Sequence, residues 1–519
     1  MPIWIFHSRA MQLTRTLHKA LIECPQRTAW VDGTERATYQ ALHDRVARLA
    51  AVLRSLGVQP GDRVALLGMN SGRYVEALFA VWWAGAVVNP VNVRWTPAEM
   101  AYSLDDCGSA HLIVDSVFAG RVTALREEVR CLREVMYFGP GAPPEAMADV
   151  ESLMAATPAM EDSRRHGDEL AAVMYTGGTT GRPKGVMLSH TNLGVGTLAA
   201  STAVHRDSRV VAVSCAPLFH VGAVGHLLQL AGQLATLVLL PAFEETAVLQ
   251  AIASERATET FLVPTMLKRV VEHPRLADFD LSSLRWVLYG AAPIDEALLT
   301  LAMDRLPDTG FVQFYGMTEL SPVITALPAS CHLADQPRER LRSAGRPIPI
   351  AEVRVVDAAD QPLPVGQVGE IVARGPMVMQ GYWGQKALSA DALRGGWMHT
   401  GDLGRFDADG FLYVVDRLKD MIITGGENVY SAEVENVLVQ APSVAACAVV
   451  GVPDASWGER VHAVIVLKPG LEADTVGLLA HCRVHLAGYK CPRSLEFRDA
   501  LPLSAAGKLL KYEVRASVR

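Results

Sequence analysis

Short apolar runs alternate with longer segments of helical periodicity, and this alternation constrains the fold of the chain more than any other feature. Residues 39–56 carry apolar side chains at helical spacing and stop at Gly57, a usual helix terminator. The apolar run Val64–Leu67 suits a buried parallel strand, and a second helical segment, about 74–84, ends at Gly85. Such alternation predicts a layered α/β fold.

The length of the chain predicts two or three domains, because 519 residues are too many for one compact core. We place a large N-terminal domain of layered α/β subdomains at residues 1–416 and a small α+β C-terminal domain at 417–519. Within the latter, Ala446–Val452 and Val461–Leu467 are typical of strands. The pattern weakens over 140–168, where Pro and Ala accumulate, so we interpret that stretch as a surface connection.

Composition and charge exclude some classes of function. Half of the residues are hydrophobic, which indicates a globular chain, and the net charge of −7 offers no basic surplus for nucleic acid. The eight cysteines form no CxxC pair, so free thiols are expected. Pro2–Phe6 is too short for a signal-peptide core, and no run of about twenty apolar residues occurs. We therefore expect a cytoplasmic protein without a transmembrane segment, and a homodimer is the assembly considered.

A loop rich in glycine and threonine directly follows the apolar run Ala171–Tyr175. Its glycines let the backbone turn so that several N–H groups point inward and form a nest for an anion. Lys184 adds a positive charge that suits phosphate. An ordinary surface turn would explain an isolated glycine pair, but not this combination of glycines, hydroxyls and cations after a strand. The predicted phosphate-binding residues are Thr176, Gly177, Gly178, Thr179, Thr180, Gly181 and Lys184.

This loop, YTGGTTGRPKGV, resembles the phosphate loop of the acyl-adenylating superfamily, which comprises acyl-CoA synthetases, adenylation domains of nonribosomal peptide synthetases and beetle luciferases. Further segments follow in that family's order: PLFHVGA, YGAAP, QFYGMTE, SAGRP, HTGDLGRFDADGFLYVVDRLKDMI, GGENVYSAEVE and LPLSAAGKLLK. The family usually has Ser or Thr where this chain has Gly177, so the resemblance does not extend to that side-chain contact. It implies a ligase that uses ATP to convert a carboxylic acid to acyl-AMP and then to acyl-CoA.

The resemblance also implies roles for particular residues. Lys508 matches the catalytic lysine that contacts the acyl carboxylate, although a lysine in such a tail is usually solvated. Lys419 stands where the family places its interdomain hinge. Glu319 matches the magnesium ligand, and carboxylate oxygen is a donor that Mg²⁺ favours. His220 is a candidate for gating the acid site or orienting the thiol, although a histidine beside apolar residues is more often part of a core.

The nucleotide contacts implied by the resemblance are spread over several motifs. Tyr315 offers a flat face for adenine, and Thr318 offers a hydroxyl to the α-phosphate. Asp402 and Arg417 match the ribose pair, because a carboxylate can accept two hydrogen bonds from a vicinal diol. The remaining positions, in the nucleotide site and in the loop facing CoA, are Gly290, Ala291, Ala292, Gly316, Gly425, Gly426 and Glu427.

The identity of the acid is inferred from residues 221–240, which contain no Asp, Glu, Lys or Arg. Amino-acid-activating relatives place a carboxylate in this region, and without one a buried ammonium would be costly. The apolar lining fits a fatty or aryl acid, with a medium- or long-chain fatty acid as first choice and an arylpropenoic acid such as coumaric acid second. A ligase that loads a carrier protein and a luciferase-like oxygenase stay open. His226 has no motif support comparable to that of His220.

Overall fold

The computed structural model describes residues 10–176, 182–206, 209–425, 427–454, 456–503 and 509–518. Two compact units are present. One comprises the residues up to Glu352 together with Ala373–Met398, and the other comprises Val353–Val372 together with the residues from His399 onward. The division predicted between residues 416 and 417 concerns a functional hinge and stays a prediction. In the described ranges, no helix is both long and apolar enough to cross a membrane.

The helices flank the sheets, and most bury one face. In chain order they are α1 (Arg15–Glu23), α2 (Tyr39–Ser55), α3 (Gly72–Trp83), α4 (Pro97–Cys107), α5 (Val122–Glu128), α6 (Val150–Ala156), α7 (His190–Ser201), α8 (Val221–Gly232), α9 (Glu245–Glu255), α10 (Pro264–Val271), α11 (Glu296–Arg305), α12 (Lys386–Ala392), α13 (Ser431–Val439), α14 (Thr475–His485) and α15 (Lys511–Ser517).

The strands are short, and many are buried along their whole length. They are β1 (Thr28–Asp32), β2 (Glu35–Thr38), β3 (Arg63–Leu67), β4 (Val87–Pro90), β5 (His111–Val114), β6 (Glu134–Tyr137), β7 (Ala148–Asp149), β8 (Leu170–Thr176), β9 (Lys184–Ser189), β10 (Val211–Ser214), β11 (Thr236–Leu239), β12 (Glu259–Leu262), β13 (Trp286–Gly290), β14 (Gly310–Tyr315), β15 (Thr325–Leu327), β16 (Arg346–Pro347), β17 (Glu352–Val356), β18 (Gly369–Arg374), β19 (Gly381–Tyr382), β20 (Met398–Phe406), β21 (Leu412–Arg417), β22 (Ile422–Thr424), β23 (Glu427–Val429), β24 (Val444–Asp454), β25 (Gly458–Leu467) and β26 (Ser494–Phe497).

Two sheets organise the first unit. Over its described residues, one sheet has the order β16-β15-β14-β13-β12-β10-β11-β1-β2 and the other the order β19-β9-β8-β4-β3-β5-β6-β7. Strands β10, β12, β13 and β14 of the first sheet pair in parallel. Their carboxyl ends therefore meet at one edge, which is the usual position of a ligand crevice in such sheets.

An apolar cluster holds that parallel sheet against its helices. Buried side chains of the strands, such as Val213 and Val287, pack with side chains of α9, α10 and α11, such as Leu249, Leu267 and Leu299. Burial of this size stabilises by about 1.5–3 kcal/mol per large apolar side chain. The strand ends that carry the site are thus attached to a rigid base.

The second unit contains a sheet with the order β23-β22-β25-β24, and β26 adds to it by pairing with β25. Helices α13 and α14 cover this sheet through a buried cluster that includes Val434, Leu438, Leu478 and Ile465. A further sheet, with the order β17-β18-β20-β21, lies for the most part in the same unit.

The mixed α/β architecture confirms the predicted fold class. The surface connection predicted at 140–168 is wrong in part, because α6 lies within it and buries Val150 and Met154. Asp149 caps this helix by accepting a hydrogen bond from the N–H of Glu151 at 3.1 Å. A helix of two turns is too short for its periodicity to stand out in the sequence.

Candidate active site

Two glycines lie at the ends of adjacent parallel strands in the first unit. Gly290 is the last residue of β13, and Gly316 directly follows β14. A Cβ atom at Gly290 would lie 2.2 Å from the carbonyl oxygen of Phe314, and one at Gly316 would lie 2.1 Å from the carbonyl oxygen of Pro322. Both positions therefore exclude any side chain, because two backbone segments approach each other there.

Glu319 lies in a short 3-10 helix, Thr318–Leu320, just beyond this close approach. Its side chain is buried, and the hydroxyl of Tyr382 donates a hydrogen bond to Oε1 at 2.9 Å. Burial and the neighbouring carboxylate both raise the pKa of Tyr382, so its hydroxyl stays protonated and acts as a donor. This bond orients the carboxylate that the sequence predicts as a metal ligand.

Tyr382 is a site residue that sequence reasoning missed. It belongs to β19, which pairs with β9 so that Tyr382 lies opposite Val186. The ammonium of Lys184, at the start of β9, lies 5.4 Å from the centroid of the Tyr382 ring. Tyr382 thus contacts both the predicted metal ligand and the lysine of the phosphate loop. The aromatic pair in GYWG was a weak signal, since 63 residues separate it from Glu319.

The predicted phosphate loop closes a β-hairpin. Strands β8 and β9 are antiparallel, and Thr176 pairs with Lys184 across the base of the loop. The glycines and threonines predicted at 177–181 lie outside the described residues, so their role stays a prediction. The hydroxyl of Tyr175 donates a hydrogen bond to Asp106 at 2.6 Å, which ties the base of the hairpin to α4.

The other predicted nucleotide positions of this unit follow the same strand ends. Tyr315 is the last residue of β14 and is half-buried, and Thr318 begins the 3-10 helix. Ala291 and Ala292 directly follow β13, and Ala291 has a φ of 64°. A positive φ is uncommon for a residue with a Cβ, and such backbone often occurs at functional sites. Gly290, Ala291, Tyr315, Gly316 and Thr318 therefore share one edge of the sheet.

Helix α8 connects the predicted acid site to this edge. His220 precedes its first residue with extended backbone, is half-buried, and has its ring 4.5 Å from the Phe219 ring. Along α8, a Cβ atom at Gly225 would lie 3.0 Å from Cδ of Pro322. The helix therefore packs against the turn that leads out of the 3-10 helix of Glu319.

A narrow cavity lies between α8 and the carboxyl ends of β10 and β12. Its volume is about 10 Å³, which is about enough for one water molecule. The lining residues are Ser214, Cys215, Ala216, Leu218, Ala223, His226 and Phe261. Beside it, a Cβ atom at Gly222 would have only ordinary van der Waals contact with the ring of Phe261, at 3.6 Å.

A buried carboxylate, Glu259 of β12, packs against α8, and the sequence had not placed it there. Arg206 donates two hydrogen bonds to it, at 2.7 and 2.8 Å, and Nε2 of His226 lies 2.9 Å from its Oε1. Burial alone would raise the pKa of Glu259, but the hydrogen bonds from His226 and Arg206 lower it to about 2. Since the guanidinium of Arg206 already balances this charge, Glu259 differs from an unpaired carboxylate that would bind a substrate ammonium.

The predicted ribose pair lies in the second unit. Asp402 of β20 and Arg417 of β21 are opposite each other in antiparallel register. Nε of Arg417 lies 2.6 Å from Oδ1 of Asp402, which is buried, while Arg417 is about half exposed. The adjacent Asp416 has a structural role. Its carboxylate accepts hydrogen bonds from the hydroxyl of Ser431, the first residue of α13. The structure thus brings the two predicted residues together.

Lys419 follows β21 and is exposed. Its carbonyl oxygen accepts a hydrogen bond from Nη2 of Arg515 at 3.5 Å, so the predicted hinge contacts α15 within the second unit. Lys508, the predicted catalytic lysine, lies outside the described residues. Both roles stay predictions.

The predicted loop facing CoA turns between β22 and β23. Gly425 has a φ of 60°, which favours glycine, and its N–H donates a hydrogen bond to the carbonyl oxygen of Trp457 at 2.8 Å. Glu427 begins β23 and is exposed. Gly426 lies outside the described residues.

The part of the chain that the structure describes offers one buried carboxylate to a metal ion rather than a complete set of protein ligands. Within the described ranges, no group of three or more His, Cys, Asp or Glu side chains is placed to hold a metal ion. A single buried carboxylate, that of Glu319, fits Mg²⁺, because this ion commonly takes one or two protein carboxylates and completes its shell with water and phosphate oxygens.

The close approach at Gly316 predicts a stability effect. Gly316→Ala should lower the free energy of unfolding by about 1–3 kcal/mol, because the added methyl group meets a backbone oxygen that cannot move independently. Gly232→Ala, at a helical position with open space around it, is the matched control and should be neutral or slightly stabilising. Urea denaturation of both variants measures the difference, and equal midpoints would contradict the steric explanation.

Comparison with known proteins identifies the family. The profile described as AMP-binding enzyme matches residues 17–383, and that described as AMP-binding enzyme C-terminal domain matches residues 433–508. A feruloyl-CoA synthase of Amycolatopsis sp is 45% identical over 95% of this chain and 96% of its own. A medium/long-chain-fatty-acid–CoA ligase of Mycobacterium tuberculosis is 35% identical over 93% of this chain and 86% of its own.

A solved structure has the same fold over nearly the whole chain. The amide bond synthetase McbA from Marinactinospora thermotolerans is 36% identical and superposes with a TM-score of 0.86, covering 97% of this chain and 99% of its own. The resemblance inferred from the motifs is therefore confirmed. The chain belongs to the AMP-binding enzyme family, and it is an ATP-dependent, AMP-forming acyl-CoA ligase.

Proposed function

We propose that this ligase activates an arylpropenoic acid of the hydroxycinnamic class and transfers the acyl group to CoA. The observation that carries the proposal is the 45% identity, over 95% of the chain, to a relative named feruloyl-CoA synthase. Identity to the fatty-acid–CoA ligase of Mycobacterium tuberculosis is lower, at 35%. The fatty acid chosen first from the sequence therefore becomes the second candidate.

The surroundings of α8 support an aryl acid. The helix has no charged residue, and its first turns carry the small residues Gly222 and Ala223. The ring of Phe261 lies beside Gly222, so a planar substrate ring could pack against it in the way aromatic pairs do. Glu259 does not favour an amino acid, since the guanidinium of Arg206 already balances its charge and Nε2 of His226 donates a further hydrogen bond to it.

Acyl-AMP forms when a carboxylate oxygen of the acid attacks the α-phosphorus of ATP and the bond to pyrophosphate breaks. The approaching groups are both anionic, so the site must offset their repulsion. We assign this task to the N–H groups of the loop at 176–185, to Lys184 and to Lys508. Glu319 would hold Mg²⁺, which when bound supplies positive charge to the phosphates. Asp402 would hold the ribose hydroxyls.

The thioester forms when the sulfur of CoA attacks the acyl carbon, the bond to AMP breaks, and the thiol proton is released. We propose that His220, at the start of α8, orients this attack. Lys419 would act as a hinge that alternately presents Lys508 and the loop at 425–427 to the reacting acid. These roles rest on the family resemblance.

A substrate panel tests the proposal. The purified chain is assayed with ATP, Mg²⁺ and CoA against ferulate, 4-hydroxycinnamate, cinnamate, octanoate and palmitate, with AMP and the thioester both quantified. We expect kcat/KM for the best hydroxycinnamate to exceed that for either fatty acid by about 100-fold or more, since a site shaped for one acid discriminates strongly. A preference for octanoate or palmitate would overturn the proposal, and AMP release without thioester would exclude CoA as the acceptor.

Tyr382→Phe tests the metal assignment of Glu319. The variant loses the hydroxyl that orients the carboxylate, and loss of such a contact typically weakens metal affinity by about 10–100-fold. We therefore expect the Mg²⁺ concentration for half-maximal ATP–pyrophosphate exchange to rise by about tenfold. Tyr39→Phe removes another buried tyrosine hydroxyl, bonded to the carbonyl oxygen of Ala235, and should leave this value unchanged. An unaltered Mg²⁺ dependence in Tyr382→Phe would contradict the assignment.

Asp402→Asn tests the ribose assignment. Hydrogen bonds to a charged group contribute about 1.5–3 kcal/mol, so the wild type should use 2′-deoxy-ATP with kcat/KM at least about tenfold below that for ATP. In Asp402→Asn this penalty should shrink to about twofold, because the charged acceptor is gone. Asp407→Asn, in the same β20–β21 hairpin, should keep the full penalty. If the penalty persists in Asp402→Asn, this residue does not bind the ribose.

A further inference from the structure

The cavity beside α8 has the size of a water molecule, and its mainly apolar lining includes two polar side chains. It holds about 10 Å³, too little for a ring or a chain end but enough for one oxygen atom with its hydrogen. Two of its lining residues, Ser214 and His226, are polar and are 9% and 6% exposed. An apolar group placed there would offer no hydrogen-bond partner to Nδ1 of His226 or to the hydroxyl of Ser214, which is unfavourable.

The contact between His226 and Glu259 determines which ring nitrogen of His226 carries the hydrogen. Its Nε2 lies 2.9 Å from Glu259, a carboxylate that also accepts both hydrogen bonds of Arg206 and so is ionised. An ionised carboxylate only accepts, so Nε2 must carry the hydrogen. In the neutral ring, Nδ1 is then an acceptor. Within the described part of the chain, Nδ1 of His226 and the hydroxyl of Ser214 make no hydrogen bond to another residue.

The position of the cavity relates it to the predicted binding site of the acid. It lies at the carboxyl ends of β10 and β12, the same sheet edge that carries Gly290, Tyr315 and the turn to Glu319. Ala223, which lies on α8 one turn before His226, also lines it. A substrate that lies along α8 from the nucleotide edge would therefore bring its far end to this cavity.

We propose that the cavity beside α8 binds the ring hydroxyl of the arylpropenoic acid, with Nδ1 of His226 accepting its hydrogen and Ser214 providing a second polar contact. This inference rests on the proposed function, since it concerns the acid of the same site. It makes His226 a specificity-determining residue that separates hydroxylated from unsubstituted aryl acids. The substrate hydroxyl replaces one water molecule and satisfies groups that an unsubstituted ring would leave unpaired.

His226→Gln is the decisive variant. The glutamine amide can still donate a hydrogen bond to Glu259 in place of Nε2, but it offers no nitrogen at the position of Nδ1. The readout is the ratio of kcat/KM for 4-hydroxycinnamate to kcat/KM for cinnamate, because a general loss of activity or stability cancels in this ratio. We expect a wild-type ratio of about 100 or more and at least about a tenfold fall in His226→Gln.

Two further variants complete the test. Ser214→Ala should lower the same ratio by a smaller factor, about twofold to tenfold, since it removes only the second contact. His111→Gln changes a buried histidine in the other sheet of the unit, where its Nε2 lies 3.2 Å from the carbonyl oxygen of Leu56, and should keep the wild-type ratio. If His226→Gln also keeps the wild-type ratio, the inference is overturned while the proposed function stands. If the wild type turns over fatty acids and no arylpropenoate, both are overturned.

Discussion

The site depends on one steric constraint, the close approach of backbone segments at the carboxyl ends of β13 and β14. Gly290 and Gly316 lie so near the carbonyl oxygens of Phe314 and Pro322 that no side chain fits at either position. The same turn continues into the 3-10 helix of Glu319 and is covered by α8. Because interiors are close-packed, a displacement at either glycine would move the predicted metal ligand and the predicted acid site together.

Two buried carboxylates of the first unit are stabilised in different ways. Glu259 has both a guanidinium and an imidazole as partners, so its charge is balanced within the protein. The carboxylate of Glu319 accepts a hydrogen bond from the hydroxyl of Tyr382, which fixes its orientation. The bonds to Glu259 hold Arg206 and His226 in place, while the bond from Tyr382 fixes the carboxylate that we propose as a metal ligand.

The sequence predicted those helices and strands whose signal lies within a single element. Helix α2 begins at Tyr39, as its periodicity predicts, and β3 covers the apolar run that was expected as a strand. The motif positions Gly290, Tyr315, Gly316 and Glu319 all follow the same sheet edge, because parallel strands place their carboxyl ends together. Helix α6 was missed because two turns carry too little periodic signal.

The sequence by itself determined the fold class, the family and the order of the motifs, since periodicity and turn residues act between near neighbours in the chain. Tertiary structure decided which distant side chains meet. Tyr382 reaches Glu319 because β19 pairs with β9, and His226 reaches Glu259 because α8 lies against β12. No spacing rule links residues separated by tens of positions, because strand pairing and helix packing bring them together only in the folded chain. The charged partner of His226 was therefore absent from the uncharged run at 221–240, because it is a buried carboxylate of another strand, β12.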